Sequence, residues 1–182
     1  MVRLTKNYKN MKKILLVIVL CFICMNTFSQ RLLFKGYEIS GNAWTLKENL
    51  EKQGFRYVGV DSKVIELNGT YLGYYGSWVR LYKTFKTSKL YGIQVTISRS
   101  EKEGWMSQYE QIKSIITNKY GQPREAESFE RLYVGSFSMA CRWVLSNGEI
   151  ILANSDNNNL WCIMFLPFGW QELRNSELQD DL

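Results

Sequence analysis

The sequence predicts an α+β fold: an antiparallel β-sheet covered by helices on one face, in two similar helix-plus-meander halves. Three observations carry this. Trp105, Tyr109, Ile112, Ile116 and Tyr120 recur at spacings of four, three, four and four. That is one apolar stripe on a 3.6-residue period, with Ile115 widening it. From Leu90 to Ser98, Tyr91, Ile93, Val95 and Ile97 alternate with Gly92, Gln94, Thr96 and Ser98, as in a strand with one buried and one wetter face. Finally, two helical stretches end in glycine (Gly54, Gly121), and each is followed by strands and turn residues.

In chain order, Lys6, Lys9, Lys12 and Lys13 precede the apolar run at 14–25, and Thr27 and Ser29 follow it. This is the layout of a secretory signal peptide over residues 1–30, with cleavage after Ser29 or Gln30. The run is shorter than the roughly 20 residues a membrane span needs, so no stable span is expected after cleavage. Met11 is an alternative start. Residues 31–182 then form a single domain, exported to the periplasm of a Gram-negative cell or secreted. The leader holds five of the 23 basic residues and none of the 17 acidic ones, which leaves 18 basic against 17 acidic. Such a balance gives no footprint for nucleic acid.

Residues 31–39 read as an extended lead-in with Leu33, Phe34 and Tyr37 packing. A short helix over 45–53 follows, with Thr45 and Glu48 as a capping box and Leu46 and Leu50 buried. Strands at 57–60 and 64–67 flank a turn at Asp61-Ser62, and Asn68-Gly69 is a tight-turn pair. Longer strands cover 71–83 and 90–98. The central helix runs from Trp105 to Gly121, and Pro123 blocks its continuation. A polar edge strand at 124–129 and strands at 138–145, 149–154 and 160–166 make the second meander, with Asn147-Gly148 as its hairpin. A short C-terminal helix docks Trp170 and Leu173.

On Gly54-Phe55, Leu67-Asn68-Gly69, Trp105, Tyr109, Tyr120-Gly121-Gln122-Pro123 and the ending Asp180-Asp181-Leu182, the chain resembles a group of small exported bacterial proteins, mostly uncharacterised. The layout is also similar to the tandem fold of the β-lactamase-inhibitor-protein type. That resemblance implies a binding module by analogy and brings no functional residues with it.

The chain has no histidine, which removes Ser-His-Asp and Cys-His nucleophile systems and His-ligated metals. Neither a P-loop, GxSxG nor GxGxxG occurs. No catalytic residue, cofactor or metal site is therefore assigned. Glu66, Glu110 and Glu149 are the acids considered for a glycosidase pair, and 155–159 for calcium; surface carboxylates and a plain turn suit them better.

The aromatics carry the functional reading. Tyr71, Tyr74, Tyr75, Trp78 and Tyr82 crowd one strand region. Alternation sets Trp78, Arg80 and Tyr82 on one face and Val79 and Leu81 on the helix-covered side. The candidate partner face is Tyr74, Trp78, Arg80 and Tyr82, while Trp143 and Trp161 belong to the core. Rigid aromatic surface suits a non-enzymatic module that binds a protein or peptide of the cell envelope. The alternatives are an envelope enzyme acting on glycan and a structural accessory subunit. Cys141 and Cys162 are a candidate disulfide for an exported protein. The Asn147-Gly148 register pairs Cys141 with Asn154 and Cys162 with Ala153, roughly 9–10 Å apart, against a usual limit of about 7 Å.

Overall fold

The computed structural model describes residues 30–99, 104–125, 137–155 and 160–179. Residues 1–29, where a signal peptide is expected, the expected edge strand beyond Glu125, the loop at 156–159 and the acidic ending lie outside the described residues.

The chain runs β1 (Leu33–Phe34), β2 (Tyr37–Glu38), α1 (Ala43–Lys52), β3 (Arg56–Val60), β4 (Val64–Tyr71), β5 (Tyr74–Lys83) and β6 (Leu90–Ser98). It continues as α2 (Trp105–Tyr120), β7 (Arg124–Glu125), β8 (Phe137–Leu145), β9 (Gly148–Ser155), β10 (Leu160–Pro167) and α3 (Trp170–Gln179). β1 and β2 form a separate hairpin. The other eight strands make one sheet in the order β3-β4-β5-β6-β10-β9-β8-β7, antiparallel throughout. The last strands of the two meanders, β6 and β10, meet in the middle, with Val95 opposite Ile163.

The helices start and stop for local reasons that differ in part from the sequence expectation. α1 is capped by Asn42, not Thr45. Asn42 has extended backbone, and its Oδ1 accepts from the Trp44 amide at 2.8 Å. Thr45 falls inside the first turn because Ala43 N is already held by Ser88 O at 2.9 Å. Leu46 and Leu50 are buried as the pattern requires. Along α2, Tyr109, Ile112 and Ile116 are buried, whereas Ile115 is 42 % exposed and does not widen the stripe. Gly121 closes that helix at φ +84, its amide donating to Thr117 O at 2.8 Å.

Two glycines act through close approach, not through turns. Asn68-Gly69 lies within β4, and the hairpin turn is Leu72-Gly73, both at positive φ. A Cβ on Gly69 would sit 2.5 Å from the Phe55 ring, so the glycine makes room for that ring. In the second hairpin Leu145 pairs with Gly148, which puts the turn on Ser146-Asn147. A Cβ on Gly148 would meet Leu166 O at 2.5 Å and Leu32 Cδ2 at 2.6 Å. Asn147 Oδ1 accepts from Leu32 N at 2.6 Å and ties the lead-in to this turn.

Burial divides the sheet residues into two sets. Ile65, Leu67, Val79, Leu81, Ile93, Val95, Ile97, Trp143, Ile150, Leu152, Trp161, Ile163 and Phe165 share one cluster with Phe34, with Leu46 and Leu50 of α1, and with Tyr109, Ile112 and Ile116 of α2. Each fully buried Val, Leu, Ile or Phe of this cluster contributes about 1.5–3 kcal/mol by leaving water. The alternate residues Ile151, Ala153, Met164 and Leu166 form a second cluster with Tyr91 and Trp170. α3 thus departs from the expected one-face arrangement. Tyr91 departs from the expected alternation because the β5–β6 register shifts there: Tyr82 pairs with Gly92 and Lys83 with Leu90. The extra residue is a β-bulge that moves Tyr91 to Trp170's side.

Candidate functional site

β5 is the strand that sorts its side chains most sharply. Ser77, Val79 and Leu81 are buried, while Trp78 and Arg80 are exposed and Tyr82 is half-buried. Pairing with β4 and β6 turns this alternation into three short rows on one face: Asn68–Trp78–Thr96, Glu66–Arg80–Gln94 and Val64–Tyr82–Gly92. This face is the one opposite the cluster that α1 and α2 join. Trp78 keeps 41 % of its surface exposed.

The middle row is held by polar contacts. Glu66 Oε1 accepts from Arg80 Nε at 2.8 Å. Desolvation works against the Arg80 charge, but the hydrogen bond and charge of Glu66 leave the guanidinium above its ordinary pKa. Tyr82 donates its hydroxyl to Gln94 Oε1, and Gln94 Nε2 donates to Cys162 Sγ at 2.7 Å. Burial pushes the Tyr82 phenol up to about 12, against the pull of Arg80. It also pushes the Cys162 thiol up, opposed by hydrogen bonds from Gln94 and Thr96. Exposure therefore falls along the face, from Trp78 and Arg80 toward the buried Thr96, Cys162 and Met164 beside the Trp170 cluster.

Of the sequence candidates, Trp78, Arg80 and Tyr82 come together and Tyr74 does not join them. The Tyr74 hydroxyl donates to Gln111 Oε1 on α2 at 3.2 Å, on the other side of the sheet. Tyr71 is core, stacked on Phe34 at 5.3 Å, and Tyr75 is exposed at the β4–β5 turn. Trp143 and Trp161 are buried. Glu66, considered in the sequence only as a glycosidase acid, and Gln94 were not expected on this face. Only the strand order makes them neighbours of Arg80 and Tyr82.

The candidate disulfide is not formed: both thiols are free and buried. Cys141 pairs with Leu152, not Asn154, because the turn sits one residue earlier than expected. The sheet also separates the two sulfurs. Cys141 Sγ is 2.8 Å from the Tyr109 hydroxyl under α2, and Cys162 meets Gln94 on the opposite face.

The acids considered for glycan chemistry are dispersed. Glu66 on β4 is paired with Arg80, Glu149 on β9 with Arg142, and Glu110 is exposed on α2. β4 and β9 are four strand spacings apart, roughly 19 Å, against about 5–10 Å for a glycosidase pair. Among the described residues no group of three or more Cys, Asp or Glu is arranged to hold a metal ion, and no helix is long and apolar enough to cross a membrane. The loop at 156–159 considered for calcium lies outside the described residues.

No family model matches the chain, and no curated protein or solved structure matches it either.

Proposed function

We propose that this chain is an exported, non-enzymatic binding module, periplasmic or secreted, that recognises a protein or peptide of the cell envelope. The recognition face is the part of the sheet carrying Trp78, Arg80 and Glu66, edged by Tyr82. In this reading residues 1–30 are a signal peptide, and 31–182 are one domain of two related halves. Each half is a helix followed by a four-stranded meander, with α1 and α2 covering the face opposite the recognition face. The layout is akin to the tandem β-lactamase-inhibitor-protein type and to the uncharacterised exported family.

The observation that carries the proposal is Trp78. A large aromatic side chain stays 41 % exposed at the centre of a strand whose next residue, Val79, is fully buried. The Arg80–Glu66 pair fixes the polar groups beside it. An aromatic anchor next to an ordered arginine is the composition enriched at interaction hot spots.

Trp78→Ala/Arg80→Ala is the variant that tests it, because both side chains are exposed and their loss spares the core. In a crosslinking pull-down from envelope fractions, the native protein captures one defined partner and the variant loses it. Capture that is equal for both baits refutes the assignment of this face.

A further inference from the structure

A second concave feature lies on the side of the sheet that faces α2. Where the β1–β2 hairpin and the C-terminal turn of α2 meet the sheet, they leave a cleft of about 120 Å³. Its apolar surface comes from Phe165, Ile116 and Leu72. Tyr71 and Tyr120 bring two phenol groups, and Lys35 and Lys119 bring two ammonium groups. Among the described residues, its lining has no aspartate or glutamate.

Each polar group is held in place. The Tyr120 hydroxyl donates to Leu33 O at 3.1 Å, which fastens the hairpin to α2. Lys35 Nζ sits 5.6 Å from the Tyr71 ring centroid and Lys119 Nζ 5.0 Å from that of Tyr120, so ring faces keep both ammonium groups at the rim. Tyr71 is only 8 % exposed and is fixed by stacking on Phe34.

Two cations, two phenols and an apolar floor, with no acid among the described residues of the lining, form a site for an anion with an apolar body. We propose that this cleft binds a small apolar carboxylate, with Lys35 and Lys119 flanking the carboxylate and the hydrocarbon lying on Phe165 and Ile116. The volume holds about ten water-sized spheres at 10–15 Å³ each, the size of a phenylacetate or hexanoate ion. The same chemistry is offered by a free acid or by the C-terminal residue of a peptide. This site is separate from the Trp78 face, and the two proposals stand or fall independently.

The test is an NMR amide titration of the purified protein with phenylacetate, with its neutral isostere phenylacetamide, and with an acetylated peptide ending in a free Phe carboxylate. Saturable shifts centred on Ile116, Tyr71 and Leu72 are expected with at least one carboxylate and not with the amide. Lys35→Gln and Lys119→Gln should each weaken binding about tenfold or more, as loss of a charge-assisted contact does. Both lysines are exposed, so the variants keep the fold, which the unshifted amides of β8 and β9 check. Preference for the peptide or for the free acid identifies the source of the ligand. Equal binding of acid and amide, undiminished binding by both variants, or no saturable shift with either carboxylate would overturn the proposal.

Discussion

At the scale of single residues, the glycines show how far a local pattern can be read. Asn68-Gly69 and Asn147-Gly148 both carry turn chemistry, and neither pair forms the turn. What occupies the space of the missing Cβ is the Phe55 ring in one case, and Leu166 O with Leu32 in the other. These are long-range contacts, invisible to a short window of sequence. Gly148→Ala should therefore destabilise by about 1–3 kcal/mol, because the obstructing atom is backbone and cannot swing away. Gly59→Ala, with open space at its Cβ, should stay within about 0.5 kcal/mol; urea denaturation of the two variants measures the contrast. Tyr82 gives the second residue-scale prediction. Its phenol titrates near 12 in the folded protein and near 10.0 when unfolded. Below pH 10 both states hold the proton and stability does not depend on it. Between pH 10 and 12 the unfolded state alone releases it, so stability falls by roughly 1.4 kcal/mol per pH unit. Tyr82→Phe should flatten this alkaline loss in thermal melts taken across that window, and an unchanged slope would place the titration elsewhere.

At the scale of elements, helix and strand identity was legible because periodicity reports burial directly. The strand Leu90–Ser98 has the expected bounds, and of the expected stripe Tyr109, Ile112 and Ile116 are buried while Tyr120 is half-buried. The boundaries were less legible, since they depend on what the chain meets elsewhere. The first helix begins at Ala43 because Ser88 holds its amide and Asn42 is free to cap. Asn42→Ala should accordingly cost about 1 kcal/mol, whereas Thr45→Ala should be close to neutral. The reverse order in chemical denaturation would restore the capping box at Thr45. The bulge at Tyr91 had no sequence signal either. It follows from the register in which β6 meets β5, and it supplies the ring that packs beside Trp170.

At the scale of the whole molecule, the sheet order joins two meanders through β6 and β10, and that order assembles both candidate sites. Trp78, Arg80 and Tyr82 were legible as one face because they sit two apart on one strand. Glu66 and Gln94 were not, because they come from the strands on either side. The cleft was beyond reading altogether: Lys35 and Lys119 belong to a hairpin and a helix that only the tertiary fold brings together. The central claim is that recognition uses the Trp78 face. Its most direct measurement is site-directed photo-crosslinking in the host envelope, with the probe at position 78 and, in a second protein, at Glu110 on the exposed face of α2. The account predicts one discrete adduct from position 78 and none from position 110. Adducts of equal yield from both positions, or from position 110 alone, would contradict it.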